Sequence, residues 1–457
     1  MKKRPRIGLL PLYLSLYDER LPTLRDGFEG YPERIAAGFE SRGVDVHQVP
    51  IACVDCDIRK AIAEFESEGV DLIVTLHLAY SPSLEAADAL CATSLPLLLL
   101  STGMDASFGM DVDPERLLYN HGIHGVMDLA SVLRRRGRTY EVIAGHDILD
   151  RASGHARAAF AVCELRNTRA LRVGPVFSGM GDFQVDESLL GITTDSIDIT
   201  ALDKAVEALS DAAVEAEMAS DRERYDCALP DIAHERSVRV GLGLRAILEQ
   251  GAFGAFSVNF QAFDRPDRPA CTMPFFEIAK AMGRGLGYAG EGDLLSAALV
   301  GALARAFGAV TFTEIFCADW QGDSLFLSHM GEISPAIAAD TPRILEKPSG
   351  FIDGHAPAVL TCGVKAGPAV LVNLAPGPND SFSLILAPVD VLPESGLHPE
   401  MQDGIRAWIR PSCGVRNFLE AYSRAGGTHH KALVLGEHAE ALAAFGRYSG
   451  FEVQQIG

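Results

Sequence analysis

Over the first third of the chain, short unbroken apolar runs alternate with stretches of mixed charge, and this alternation restricts the fold more than any other feature. It predicts strands at Arg6–Leu14, Asp45–Pro50, Asp71–Leu76 and Pro96–Ser101, with helices at Tyr31–Ser41, Ile58–Glu68 and Ser83–Ala92 between them. A run that is apolar on successive residues, and not on alternate ones, suits a strand covered on both faces. Strands of that kind joined through helices build a doubly wound parallel sheet. In such a sheet the functional groups gather at the carboxyl ends of the strands. Those ends hold Tyr13, His77 to Tyr80, and Ser101-Thr102-Gly103. No Gly-x-Gly-x-x-Gly opens the first helix, so a dinucleotide site has no support.

A second α/β segment follows, with a glycine-rich stretch Gly179-Met180-Gly181 and long helices predicted at Leu202–Ala219 and His234–Glu249. A strand at Phe253–Phe260 and a helix at Asp293–Phe307 complete it. The texture then changes to alternating strands: Thr311–Cys317, Ser324–Met330, Ala358–Lys365, Ala369–Leu374 and Ser381–Ala387, separated by Gly, Pro and Asn. This last part reads as a small antiparallel β-barrel or sandwich, closed by a helix at Glu437–Ser449. The expected division of the 457 residues is therefore a Rossmann-like α/β domain at 1–172, a central α/β domain at 173–309 and a C-terminal β-barrel domain at 310–457.

The formal net charge of −21 makes phosphate backbones and anionic lipid poor partners, so neither nucleic acid nor a membrane surface is expected. Apolar runs such as Ser94–Leu100 fall well short of the roughly 20 residues a membrane span requires. Met1-Lys2-Lys3-Arg4 ahead of an apolar stretch imitates a signal peptide, but it lacks a small-residue cleavage site and Asp18-Glu19-Arg20 follows. A first strand of a cytoplasmic protein is the better reading. The 9 cysteines are scattered, which fits a reducing compartment and not a disulfide framework. Cys53-x-x-Cys56 has no second pair to complete a zinc site, so it reads as two thiols in a loop.

Four places are anomalous as plain structure. Gly290-Glu291-Gly292-Asp293 sets a carboxylate between two glycines ahead of an apolar helix. It is either a helix N-terminal acid with Asp293 as cap, or a site. Glu314 shares a strand face with Val310, Phe312 and Phe316, where a lone carboxylate costs several kcal/mol unless it escapes to water, pairs or meets a cation. His329 shares its face with Leu325 and Leu327 and reads as a satisfied core histidine or a ligand. Gly426-Gly427-Thr428-His429-His430 places a histidine pair after two glycines, just before a strand. Together, two carboxylates and two imidazoles make a mixed oxygen–nitrogen set suited to Mn²⁺, Fe²⁺ or Co²⁺.

These segments, with Ser328-His329-Met330-Gly331-Glu332, resemble the L-arabinose isomerase and L-fucose isomerase superfamily, and their order and spacing are most similar to the arabinose side. The resemblance implies that Glu291, Glu314, His329 and His430 bind Mn²⁺, and that Glu291 and Glu314 are the acid/base pair of an ene-diol isomerisation. Leu76-His77-Leu78-Ala79-Tyr80-Ser81-Pro82 resembles a segment whose aromatic, here Tyr80, lines the substrate pocket. Asn120-His121-Gly122-Ile123-His124-Gly125 resembles one whose histidine, here His124, reaches a neighbouring subunit's active site. Phe260 falls at a pocket position, and Met180, Glu332 and His429 are further candidates for contact with substrate. The likeness spans nearly the whole chain. It departs at Leu14-Ser15-Leu16-Tyr17, where the family's glutamine is absent, and at Ile315-Phe316-Cys317-Ala318, which replaces an aromatic-rich stretch. Both positions meet the distal end of the sugar in the family.

The expected activity is thus a metal-dependent aldose–ketose isomerisation of an open-chain pentose or 6-deoxyhexose. An epimerase or lyase of the same fold, and a sugar-binding protein without turnover, are the other readings. Because His124 lies in the first domain and all four ligand candidates lie beyond residue 290, the resemblance implies a homo-oligomer with shared sites, a trimer or a hexamer. Otherwise His124 only caps a helix in its own chain.

Overall fold

The structure, a computed structural model, describes residues 4–348 and 350–457, so Met1–Lys3 of the signal-like N-terminus lie outside the described residues. The chain forms two compact units, 1–163 with 440–450, and 164–439 with 451–457. In the first unit, five parallel strands lie in the order Asp45–Gln48, Arg6–Leu12, Leu72–His77, Leu97–Ser101 and Glu141–Ala144. Leu72–His77 is buried along its whole length, as an unbroken apolar run requires. The helices predicted between these strands form at Tyr31–Glu40, Asp55–Glu68 and Ser83–Ala92. The apolar sides of the last two, with Ile58, Phe65, Ala86 and Leu90, join those of the helix Gly122–Arg135, with Val126 and Leu129, to cover one face of the sheet.

The second unit opens with a four-stranded parallel sheet in the order Gly287–Gly290, Ala255–Val258, Arg169–Val173 and Thr193–Ile197. The long helix expected over Leu202–Ala219 is two helices, Ile199–Glu207 and Asp211–Arg224. Ser210 breaks it by capping the second, where its Oγ accepts from Ala213 N at 3.3 Å. Likewise the strand expected over Phe253–Phe260 stops at Val258, because Asn259 caps a short 3-10 turn that begins at Phe260.

Six antiparallel strands then close a barrel in the order Gly367–Pro376, His430–Leu435, Val310–Asp319, Ser324–Ser328, Ala407–Pro411 and Phe382–Val391, the last pairing back on the first. Its interior is filled by residues such as Leu325, Leu327, Leu371, Ile385, Ile409 and Leu433. Two expectations for this region need correction. The segment read as a barrel strand at Ala358–Lys365 pairs instead with Arg343–Glu346 in a separate three-stranded sheet with Asp226–Cys227, where all of Ala358–Thr361 is buried. The terminal helix, Ala439–Ser449, does not close the barrel. Residues 440–450 fold with the first unit, where Arg151 pairs with Glu440 at 2.6 Å and His155 Nδ1 bonds Tyr448 Oη at 3.1 Å. Among the described residues no helix is long and apolar enough to cross a membrane.

Candidate active site

Glu291 sits immediately beyond the carboxyl end of the strand Gly287–Gly290, the place where a parallel sheet presents its functional groups. Its backbone is left-handed, with φ +66°, and that of Gly292 is also left-handed, with φ +94°. A side chain at Gly292 would put its Cβ 2.8 Å from Val176 Cα, so only glycine fits. The left-handed glutamate is held from several sides. Ser257 Oγ donates to Ala289 O at 2.6 Å and accepts from Gly292 N at 2.8 Å. Phe177 N donates to Glu291 O at 2.9 Å, and Arg172 Nε donates to Gly292 O at 3.0 Å. A non-glycine residue in this region costs about 1–3 kcal/mol and persists only where its surroundings impose it. Here they do.

Asp293 does two things at once. One carboxylate oxygen caps the helix Leu294–Phe307 by accepting from Ser296 N at 2.8 Å, and the other takes His430 Nδ1 at 2.8 Å. Barrel register supplies the remaining groups. Glu314 stands opposite His430 on one neighbouring strand and opposite Ser328, next to His329, on the other. Its Oε1 consequently lies 3.0 Å from His329 Nε2 and 3.1 Å from His430 Nε2, while Glu291 Oε2 lies 3.5 Å from His430 Nε2. Glu291, Glu314, His329 and His430 therefore form one cluster. A β-bulge between Ile315 and Cys317 ends the regular alternation, and Phe316, expected on the face of Glu314, is largely exposed.

A second layer of acids backs the imidazoles. His329 Nδ1 lies 2.9 Å from Glu332 Oε1 but off the hydrogen-bonding direction, so neither atom gains an aligned partner. Glu332 is fully buried, and its other oxygen accepts from Gly331 N at 2.8 Å. His429 bonds Asp182 at 2.7 Å through Nδ1 and Glu291 at 3.3 Å through Nε2. The ring of Phe183 stacks on His430 with centroids 5.3 Å apart, and Phe312 meets His329 and His430 edge-on. His430 Nε2 is buried with no aligned hydrogen-bond partner, although two carboxylates face it.

The titration of these groups reflects an excess of negative charge. Burial pushes the carboxyl of Glu291 up, but bonds from His429 and His430 outweigh it and hold Glu291 down at about 2; Glu314 is likewise held low by His329 and His430. Burial opposes the charge on His329, yet Glu332 and Glu314 prevail and raise it to about 10. His429 is raised to about 9 against its own burial by Asp182 and Glu291, and His430 is raised well above its ordinary value against its burial by Asp293, Glu291 and Glu314. Burial lowers Lys431 to about 8; its ammonium donates to the carbonyls of Thr428 and His429.

The other expected residues have surroundings of their own. Phe260 is half-buried against Phe177, whose N–H holds Glu291, with centroids 5.6 Å apart. Met180 lies in the loop that carries Asp182 and Phe183, and its carbonyl accepts from Gln184. Tyr80 and His124 belong to the first unit. The Tyr80 hydroxyl donates to Asp128 at 2.9 Å, and His124 is exposed, its ring 4.0 Å from that of His121. His77 is buried between Thr75 and Ser81, and burial pushes it down to about 3. Cys53 takes a bond from Arg25 at 3.1 Å, while Cys56 is exposed in the first turn of a helix. The sequence reading missed Asp182, Ser257, Arg172 and Phe183. The strand-end rule could have flagged Arg172 and Ser257, whereas nothing local marks Asp182 or Phe183.

Residues 176–307 match the L-arabinose isomerase central domain, and residues 309–452 match the L-arabinose isomerase C-terminal domain. The chain is 27% identical over 459 residues to an L-arabinose isomerase of Nocardioides sp., covering 94% of this chain and 90% of that one. It is 27% identical to the enzyme of Herpetosiphon aurantiacus, covering 85% and 80%, and 28% identical to that of Geobacillus kaustophilus, covering 87% and 83%. These matches define the class, an aldose–ketose isomerase acting on a sugar by intramolecular oxidation and reduction. The chain belongs to the L-arabinose isomerase family.

Proposed function

We propose that this chain isomerises an open-chain pentose or 6-deoxyhexose between aldose and ketose through an ene-diol, with a divalent metal, Mn²⁺ in the first instance, held by Glu291, Glu314, His329 and His430. The observation that carries the reading is the position of His430 Nε2: buried, without an aligned partner, and faced by Glu314 at 3.1 Å and Glu291 at 3.5 Å. Two carboxylates and two imidazoles are the donor set of Mn²⁺ and its neighbours. Acids behind the ligand rings, Asp293 on His430 and Glu332 beside His329, are the usual means of fixing ring orientation at a metal. Glu291, His429 and His430 also bring donor atoms within 4.8 Å of one another. Both ring nitrogens of His429 are spent on carboxylates, however, so it serves better as a brace for Glu291.

A bound cation would supply charge to stabilise the ene-diolate and draw the two reacting oxygens together. Glu291 and Glu314, both kept ionised, are the general bases: one takes the proton from C2 and returns it to C1, and the other moves the hydroxyl proton. Glu332 and His429 orient the ligands and hydrogen-bond the sugar. Met180 and Phe260 bound the pocket, with Tyr80 and His124 contributed to the sugar from the Rossmann-like domain. The replaced Leu14-Ser15-Leu16-Tyr17 and Ile315–Ala318 segments give this chain its own choice at the distal end of the sugar. We further propose domains at 1–172, 173–309 and 310–457, a trimer or hexamer in which His124 serves a neighbouring subunit, and a cytoplasmic setting, which the nine scattered cysteines suit. The deciding experiment is a screen of aldoses with Mn²⁺ that reads ketose formation. Ketose from a pentose or 6-deoxyhexose supports the proposal, while tight sugar binding without ketose would replace it with a binding protein.

A further inference from the structure

We propose that Cys227, His234 and Asp221 form a nucleophilic thiol site, built on elements other than those of the isomerase cluster, that reacts with small-molecule disulfides. Three elements converge on it. Asp221 lies near the end of the helix Asp211–Arg224, Cys227 lies on the two-residue strand Asp226–Cys227, and His234 lies in the first turn of the helix Asp231–Gln250. Cys227 Sγ is 3.8 Å from His234 Nδ1, and His234 Nε2 is 3.2 Å from Asp221 Oδ2. The order fixes the tautomer. With the Nε2 proton donated to the carboxylate, Nδ1 turns its lone pair to the thiol, the arrangement of a nucleophile whose base is oriented by a third group.

The imidazole is fully buried and the carboxylate nearly so, and Asp221 is itself held by Lys280 Nζ at 3.0 Å, so the base cannot swing away from the sulfur. Cys227 is only half-buried. It stands on an outer strand of its sheet, paired with Arg343–Glu346. The charged groups on the packed elements include Glu217, Lys280, Glu277, the Arg222–Asp231 pair and the Arg236–Glu346 pair, with Asp226 and Arg343 at the strand itself. Cys53 bonds Arg25, Cys56 bonds Asp57 and Cys413 bonds the carbonyl of Gly414, so none of these three thiols is paired with an imidazole.

The step balances without further reagents. The Cys227 thiol gives its proton to His234 Nδ1, and the thiolate attacks one sulfur of the disulfide. A Cys227 S–S bond forms and the original S–S bond breaks. The departing half leaves as a thiolate with the electron pair and takes the proton back from the imidazole. Cys227 is oxidised and the released half is reduced.

The test treats the full chain with oxidised glutathione at neutral pH and follows mixed-disulfide formation at each cysteine by peptide mass spectrometry. Cys56 and Cys317 are exposed and have no imidazole, so they set the unassisted rate. Cys227 should react at least about tenfold faster than either, and the advantage should vanish in denaturant, where all cysteines become equivalent. His234→Gln should bring Cys227 down to the rate of Cys56 while the rates at Cys56 and Cys317 stay unchanged. A wild-type rate at Cys227 no greater than theirs overturns the proposal without any variant. An undiminished rate in folded His234→Gln overturns the role of the imidazole.

Discussion

Asp221 and Glu277 are buried and Glu217 half-buried among helices of the second unit, and each meets a fixed cation. Arg245 bridges Glu217 and Glu277 at 2.6 Å each, Lys280 reaches Glu217 at 2.6 Å and Asp221 at 3.0 Å, and Arg284 pairs with Glu277. Around Glu291 and Glu314 the same unit buries at least as much negative charge, with Asp293 and Glu332 behind, and faces it only with imidazoles. Lys431, the nearest ammonium, turns to backbone carbonyls instead. The first cluster carries its own countercharge and is complete as folded. The second can reach neutrality only by taking up protons or a cation from solution. A buried charge that lacks a permanent partner is expensive, so a cluster left in that condition is one built to receive something.

The sharpest way to break this contrast is to remove a carboxylate from the second cluster. Glu314→Gln should lower turnover roughly 10³-fold, as the loss of a general base does. It should also deplete bound Mn²⁺, measured by elemental analysis of the purified protein, with the folded fraction little changed. Normal metal content with lost turnover would leave Glu314 as a base but not a ligand. Lys280→Met probes the other cluster. Glu217 keeps Arg245, but Asp221 loses its fixed cation, which should cost about 3–5 kcal/mol of stability, read by urea denaturation, and the loss should be the same with and without Mn²⁺. A loss that added metal repaired would make the two clusters one system. Glu332→Gln is milder. It keeps the shape and removes the charge behind His329, and should weaken Mn²⁺ binding about 10–100-fold in a titration that leaves the melting temperature of the metal-free protein nearly fixed.

The reasons some of this could be read from the chain and some could not are physical. Buried parallel strands announce themselves as unbroken apolar runs, and the strands Arg6–Leu12 and Leu97–Ser101 lie within a few residues of the runs that predicted them. Glu314 and His329 stood out because a charge on an apolar strand needs a reason. The barrel register that sets Glu314 between His430 and Ser328 joins residues far apart in sequence, and no local pattern encodes it. For the same cause Asp182 was invisible, since its value lies in its bond to His429, more than two hundred residues away. The strand at Ala358–Thr361 and the terminal helix were recognised as elements but assigned to the wrong neighbours. Alternation and amphipathicity report that a face is buried, not what buries it. Asp293 shows a further limit, because a helix cap and an imidazole anchor are the same residue type at the same position.

The smallest effect is the most specific to the contrast. In the metal-free protein His329 titrates at about 10, because burial, which disfavours its charge, is outweighed by Glu332 and Glu314; His430 is raised as well, against burial, by Asp293, Glu291 and Glu314. A histidine raised in this way stabilises the fold fully below its unfolded value near 6.5, and the contribution is lost as the pH rises through about 10. To hold the proposed metal, both rings must give up the proton on the nitrogen that would ligate it. Mn²⁺ binding near neutral pH should therefore release about two protons, and its affinity should rise about a hundredfold per pH unit across that range. Calorimetry in two buffers of different ionisation enthalpy counts the protons directly. Removing one ligand ring by His329→Gln should reduce the count to about one, whereas Lys280→Met should leave it at two. A count of zero in the wild type would mean that the imidazoles are neutral before metal arrives. The acids around them would then be balanced by something other than protons, and the distinction between the two clusters would fail at its base.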